Sequence, residues 1–188
     1  LEARYQVPVF VNNDSNCFAL GEKYFGQGQG YSDFVAITLG TGLGCGIIID
    51  HKLYSGAHTG AGEVGSIPYR SGILEQYTAS GFFKALQVDG AQVYEQAKYG
   101  EVQARLHLEN YGLALSEALK IILYTLDPQL IILGGSISRS YEFFIDALWR
   151  GLSDFIYPKS LLDLRVVKSE LENSALLGAA ALVWEGPR

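Results

Sequence analysis

Short apolar runs and one long helical stripe divide the 188-residue chain. Val7-Pro8-Val9-Phe10-Val11 is a continuous apolar run of strand length. It stops at Asn12-Asn13-Asp14-Ser15-Asn16, a cluster of helix-capping residue types, and a helix is predicted from about Ser15 to Tyr24. The glycine-rich segment 26–33 reads as a loop. Two strands follow, over about 34–39 and 44–50, on either side of Gly40, Gly42, Gly44 and Gly46. A second glycine-rich loop covers 55–66. Helices are predicted over Leu74–Leu86 and Ala91–Lys98. The strongest helical pattern runs from Glu101 to Leu126, where Val102, Leu106, Leu115, Leu119, Ile122 and Leu126 recur at helical spacing. Asp127-Pro128 ends it. Leu130–Leu133 is a buried strand running into Gly134-Gly135-Ser136, and a helix is predicted from about Ser138 to Leu152. Leu164–Lys168 is a last strand, and an apolar, small-residue helix over about 174–185 closes the chain. Strands alternating with helices around a hairpin predict an α/β fold with a mixed sheet.

The glycines at 40–46 raise the question of a phosphate loop. They do not satisfy G-x-G-x-x-G: counted from Gly40 the last position falls on Cys45, and from Gly42 on Ile47. There is no G-x-x-x-x-G-K-[ST] pattern, and both of those loops open a helix, whereas a strand follows here. What remains is a strand–turn–strand unit. Taken alone, a hairpin turn with permissive glycines explains it. The same turn, with Thr41 between glycines, can also present backbone N–H groups and a hydroxyl to an anion. Four neighbours favour the second reading. Asp14 stands at a strand-to-helix junction, although taken alone an N-cap is its plainer explanation. Glu63 lies between glycines in an otherwise apolar loop, and Glu75 sits near a helix start. Gly134-Gly135-Ser136 follows a strand and precedes a helix, a usual place for a nucleotide to lie against bare backbone.

Composition narrows the classes. Apolar residues make up 48% of the chain, enough for a substantial core. The net charge is −6 and no Lys/Arg-rich run occurs, which argues against a nucleic-acid partner. Two cysteines, Cys17 and Cys45, with no C-x-x-C, argue against a disulfide framework and point to a reducing, cytoplasmic setting. No apolar run approaches membrane-span length. Asn13-Asp14-Ser15 matches a glycosylation sequon by chance composition. The chain starts at Leu1 and reads as a segment of something longer.

Taken in order, "VFVNNDSNCFALGE", "ITLGTGLGCGIIIDHKLYSGAHTGAGEVG", "ILEQYTASG", "DPQLIILGGSIS" and "LLGAAAL" resemble the ROK family of sugar kinases and sugar-responsive repressors. The resemblance covers almost the whole chain, and its glycine–glutamate block is the most specific part. It implies a ribonuclease H-like/actin-like ATPase fold with the N-terminal lobe largely missing: residues 1–30 as its last strand and catalytic helix, and 31–188 as the C-terminal lobe. It implies Asp14 as the base that takes the proton from the attacking sugar hydroxyl. Asn13, Glu63 and Glu75 match sugar-binding positions. Gly40, Thr41 and Gly42 match a phosphate-binding turn, and Gly134, Gly135 and Ser136 a loop beside the adenosine. The implied activity is ATP-dependent phosphorylation of a hexose or N-acetylhexosamine, with ATP and Mg²⁺ as cofactors of the intact kinase. A homodimer through the C-terminal lobe, near helices 74–98, is implied on the same ground.

Two departures modify that expectation. Family members typically hold a structural zinc through a His and a cysteine cluster; here the His position is Ser66 and the short segment "IPYRSGI" has no cysteine. No zinc is therefore expected, and Ser66 is the candidate that replaces the His at the sugar. The first phosphate loop of the family kinases, part of roughly a hundred further residues comparable to one small domain, is also absent, so this segment alone is expected to be inactive. The alternatives are the repressor branch of the family and a non-catalytic sugar-binding module; Asp14 argues against the latter, since binding needs no base.

Overall fold

The computed structural model describes residues 1–186. Seven strands and nine α-helices occur among them: α1 (Glu2–Tyr5), α2 (Asp14–Phe25), β1 (Phe34–Leu39), β2 (Leu43–Ile49), β3 (Lys52–Tyr54), β4 (Pro68–Tyr69), β5 (Gly72–Ile73), α3 (Glu75–Thr78), α4 (Ser80–Ala85), α5 (Gly90–Lys98), α6 (Val102–Leu126), β6 (Leu130–Gly134), α7 (Tyr141–Leu152), α8 (Pro158–Leu162), β7 (Arg165–Lys168) and α9 (Ser174–Glu185). The main sheet has the order β3-β2-β1-β6-β7. β1, β2 and β3 form an antiparallel meander, with Leu39 opposite Leu43 at the glycine turn. β6 joins β1 in parallel, with Thr38 opposite Gly134, and β7 joins β6 in parallel. The sheet is mixed, as the sequence predicts.

Side chains alternate across this sheet and build two cores. Phe34, Ala36, Ile48 and Ile132 point to a face covered by Phe18, Ala19 and Leu20 of α2 and Leu182 of α9. Val35, Ile37, Ile47, Ile131 and Leu133 point to the opposite face, where α6 and α7 supply Leu108, Tyr111, Leu115, Leu119, Phe144 and Leu148. The α6 stripe differs at its start from the sequence reading: Val102 and Leu106 are exposed, while Ala104, Leu108 and Tyr111 turn inward. Near its start α6 meets α5, where Arg105 Nε donates to the Ala97 carbonyl, and α7, where the Arg105 guanidinium lies 5.7 Å from the Phe143 ring centroid, so the buried side is rotated there.

Three further expectations change. Residues 7–11 form no strand; no β-ladder partner lies beside them among the described residues, and Val9 N–H donates to Glu2 Oε1 instead. The helix expected over Leu74–Leu86 breaks into α3 and α4. Ala79 is extended (φ −130°, ψ −152°), and the buried Tyr111 hydroxyl donates to the Thr78 carbonyl just before the break. The helix expected from Ser138 opens with a 3₁₀ turn, Ile137–Ser140. The β4–β5 hairpin has strands of two residues each, too short for any periodicity to announce them.

Candidate functional site

The carboxyl ends of β1 and β6 lie side by side, and three adjacent cavities open around them. Such an edge is where ligands of α/β sheets collect, because strand ends leave backbone groups free and loops diverge there. One cavity, of about 450 Å³, is walled by Asn13, Asp14, Thr38, the turn Gly40–Gly44, Glu63 and Glu75. The second, of about 660 Å³, shares Asp14 and Thr38 and continues along Gly134, Gly135 and Ser136 to Arg139 and Lys168. The third, of about 380 Å³, shares Gly40, Thr41 and Ser136 and runs between Phe83, Tyr94 and the start of α5.

Asp14 arrives there because of α2. The N-cap is Asn13, not Asp14: the Asn13 side chain accepts a hydrogen bond from Asn16 N–H at 2.7 Å. That leaves Asp14 as the first helical residue, exposed, with one carboxylate oxygen accepting from Ser15 N–H at 2.9 Å. The helix N-terminus favours its negative charge. Just behind it the Ser15 and Thr38 hydroxyls lie 3.1 Å apart, linking α2 to β1.

The glycines of the turn divide their work. Gly44 and Gly46 face α2. A Cβ at Gly44 would overlap Ser15 Oγ, and one at Gly46 would overlap the Ser15 carbonyl. Both are bare so that the helix can lie on β2. A Cβ at Gly42 would sit 2.5 Å from Glu75 Oε2, and that oxygen accepts from Leu43 N–H at 3.2 Å. Gly40 alone has open space, with nothing nearer than Ser136 Oγ at 3.9 Å. Gly135 adopts φ +84°, and a Cβ there would overlap the Leu39 carbonyl. The turn is therefore packed on one side and open on the other.

Sequence reasoning missed what holds the turn. Ser80 N–H donates to the Gly40 carbonyl at 3.0 Å, and Ser80 Oγ donates to the Thr41 carbonyl at 3.0 Å. The break at Ala79 aims Ser80 at the turn, a role hidden while 74–86 read as one helix. Ser15, Thr38 and Arg139 also line the cavities without having been singled out. Ser66 is the candidate that the fold does not bring in. It closes a 3₁₀ turn through its N–H to the Glu63 carbonyl at 3.1 Å, is exposed, and is not on the walls of the 450 Å³ cavity.

Both cysteines are free, buried thiols. Burial, with the nearby Glu63 charge, pushes the Cys45 thiol up to about 12; burial and then the Asp14 charge raise the Cys17 thiol. Among the described residues no three His, Cys, Asp or Glu side chains gather as a metal cage, and no helix is long and apolar enough to cross a membrane.

A glucokinase of Thermotoga maritima is 30% identical over 94% of this chain, which spans 66% of that protein. A xylose repressor of Bacillus spizizenii is 29% identical over 98% of this chain, which spans 53% of it. The crystal structure of a ROK family glucokinase from Streptomyces griseus in complex with glucose and AMPPNP superposes with a TM-score of 0.83, at 29% identity, over 98% of this chain and 71% of that one. The chain thus spans between half and two thirds of these curated relatives and carries the sheet and flanking helices of the actin-like ATPase fold. A profile of the ROK family matches residues 1–185, and the chain belongs to that family.

Proposed function

We propose that the intact protein is an ATP-dependent sugar kinase acting on a hexose or N-acetylhexosamine. The observation that carries this reading is the place of Asp14, on the walls of both the carboxylate-lined cavity and the cavity along Gly134–Ser136. A sugar held by Asn13, Glu63 and Glu75 would present a hydroxyl to Asp14, since each glutamate can accept two hydroxyl hydrogen bonds. Asp14 would orient that hydroxyl and accept its proton as the new P–O bond forms. The open side of the Gly40–Gly42 turn offers backbone donors to a phosphate without bulk. The third cavity, with Phe83 and Tyr94, suits the base and ribose of ATP. Magnesium travels with nucleotide phosphates and takes only one or two protein carboxylates; Asp14, on the walls of both cavities, would be a carboxylate in reach of it, and the ion would neutralise phosphate charge. We assign 1–30 to the end of an N-terminal lobe and 31–188 to the C-terminal lobe.

Asp14→Asn in the intact protein tests the reading. Turnover in a coupled ATP assay is expected to fall by about 10³-fold, with sugar affinity by calorimetry unchanged. Equal loss of both would make Asp14 structural and defeat the proposal. The similarity to a xylose repressor supports a second reading, a sugar-responsive DNA-binding regulator. Sugar-dependent binding of operator DNA by the intact protein, without turnover, would select it.

A further inference from the structure

Between the two cavity glutamates the chain makes a small closed unit. Glu63 precedes the 3₁₀ turn Val64–Ser66, Ile67 pairs back through Leu74 N–H at 2.9 Å, and β4–β5 leads directly into Glu75 at the start of α3. The unit is docked on β2 at two glycines. A Cβ at Gly62 would overlap the Cys45 carbonyl, and one at Gly65 would come 2.5 Å from the Leu43 carbonyl. A hairpin of two-residue strands does not hold itself together in water. Its turn is also locally unfavourable: Arg70 has φ +52°, the left-handed conformation that glycine ordinarily supplies at the first central position of such a turn.

The side chains supply the missing restraint. The Arg70 guanidinium lies 5.2 Å from the Tyr69 ring centroid and 5.4 Å from that of Tyr77, and the two rings meet edge to face at 5.4 Å. Tyr69 is packed on the main core, and the Tyr77 and Ser71 hydroxyls are 3.0 Å apart. Tyr77 belongs to α3, the helix that begins with Glu75. The stack thus ties the hairpin tip to the helix that carries one glutamate, across the loop that carries the other.

We infer that Tyr69, Arg70 and Tyr77 form a metal-free brace that positions Glu63 and Glu75 for sugar binding. The structural half rests on this geometry alone; the role toward sugar rests on the kinase reading. None of the three residues lines the glutamate-walled cavity, so they act through the glutamates.

Arg70→Gly is the sharpest test, because glycine accepts the left-handed turn while the Arg70 side chain and its cation are removed. In the intact protein, hydrogen exchange of the amides of 63–75 should speed up. Affinity for glucose, N-acetylglucosamine or N-acetylmannosamine, whichever the wild type binds, should fall about tenfold, as expected for losing a cation from two rings. The KM for ATP and kcat should stay within about twofold, since the brace does not touch the nucleotide or the reacting atoms. Arg70→Lys should recover most of the affinity, and Tyr77→Phe, which keeps the ring, should bind nearly as wild type. Unchanged exchange at 63–75, or faster exchange with unchanged sugar affinity, would overturn the inference. If the wild type binds none of the three sugars, the kinase reading fails separately, and the exchange arm alone still decides whether the brace exists.

Discussion

The two faces of the main sheet are covered by different means. Against β2, α2 comes so close that Gly44 and Gly46 are bare to allow it. α2 meets α9 in the same way: a Cβ at Gly21 would overlap Ser174, and one at Gly178 would overlap the Cys17 carbonyl. On the opposite face α6 is held off by bulk. Leu115, Leu119, Ile122 and a ring cluster of Phe83, Tyr111 and Phe144 fill the gap. The difference teaches where precision is needed. The face with the close approach is the one that sets Asp14 beside the glycine turn. The other face supplies thickness and the larger cluster of buried apolar side chains.

Substitutions of opposite kind should therefore break the two faces. Phe144→Ala empties the thick face and is expected to cost about 4 kcal/mol, lowering the melting midpoint by about 12 °C. Gly46→Val overfills the thin face and should cost about 3 kcal/mol, read by urea titration. A Gly46→Val protein as stable as wild type would refute the close-contact account of α2. A smaller effect concerns the far end of α2. There Lys23 Nζ and the Tyr24 hydroxyl both reach Glu185 Oε1, at 2.6 and 2.7 Å. Burial alone would raise the Glu185 carboxyl, but these two donors hold it below its ordinary value. Burial would lower Lys23, yet its bonds to Glu185 and Tyr24 leave it raised. Glu185→Gln should cost about 2 kcal/mol at neutral pH. The carboxylate's share is fully present above the ordinary glutamate value near 4.3 and is lost as pH falls through the lower folded value. The Lys23 share is lost only as pH rises past about 10.4 and through its higher folded value. The gap between variant and wild type in thermal melts should therefore close below about pH 4. The smallest change, Tyr111→Phe, keeps the thick face filled but strands the Thr78 carbonyl; about 1 kcal/mol is expected.

Much of this was legible in the residues. β1, β2, β6, α2, α5, α6 and α9 follow from runs, caps and stops such as Asp127-Pro128, because those signals are local. Asp14 and Glu75 stand at element ends and Glu63 lies in a glycine-rich loop, and all three share a cavity wall with the 40–42 turn. What was hidden depends on contacts between distant segments. The break at Ala79 accompanies a hydrogen bond between Tyr111 and Thr78, 33 positions apart, and frees Ser80 to hold the turn. Residues 7–11 have strand composition, but a strand also needs a neighbour. Ser66, expected at the sugar, belongs to a 3₁₀ turn and is not on the cavity wall.

The bare pair on β2 has an evolutionary corollary. The obstacle at Gly44 is made of side chains, Ser15 Oγ and Thr38 Oγ1, so a prior change at both positions opens a route to alanine there. The obstacle nearest Gly46 is the main-chain carbonyl of Ser15, which every amino acid carries. No exchange of a neighbouring residue can clear it. Two glycines one residue apart thus differ in kind: the first can drift with its partners, and the second is fixed until the helix itself is moved.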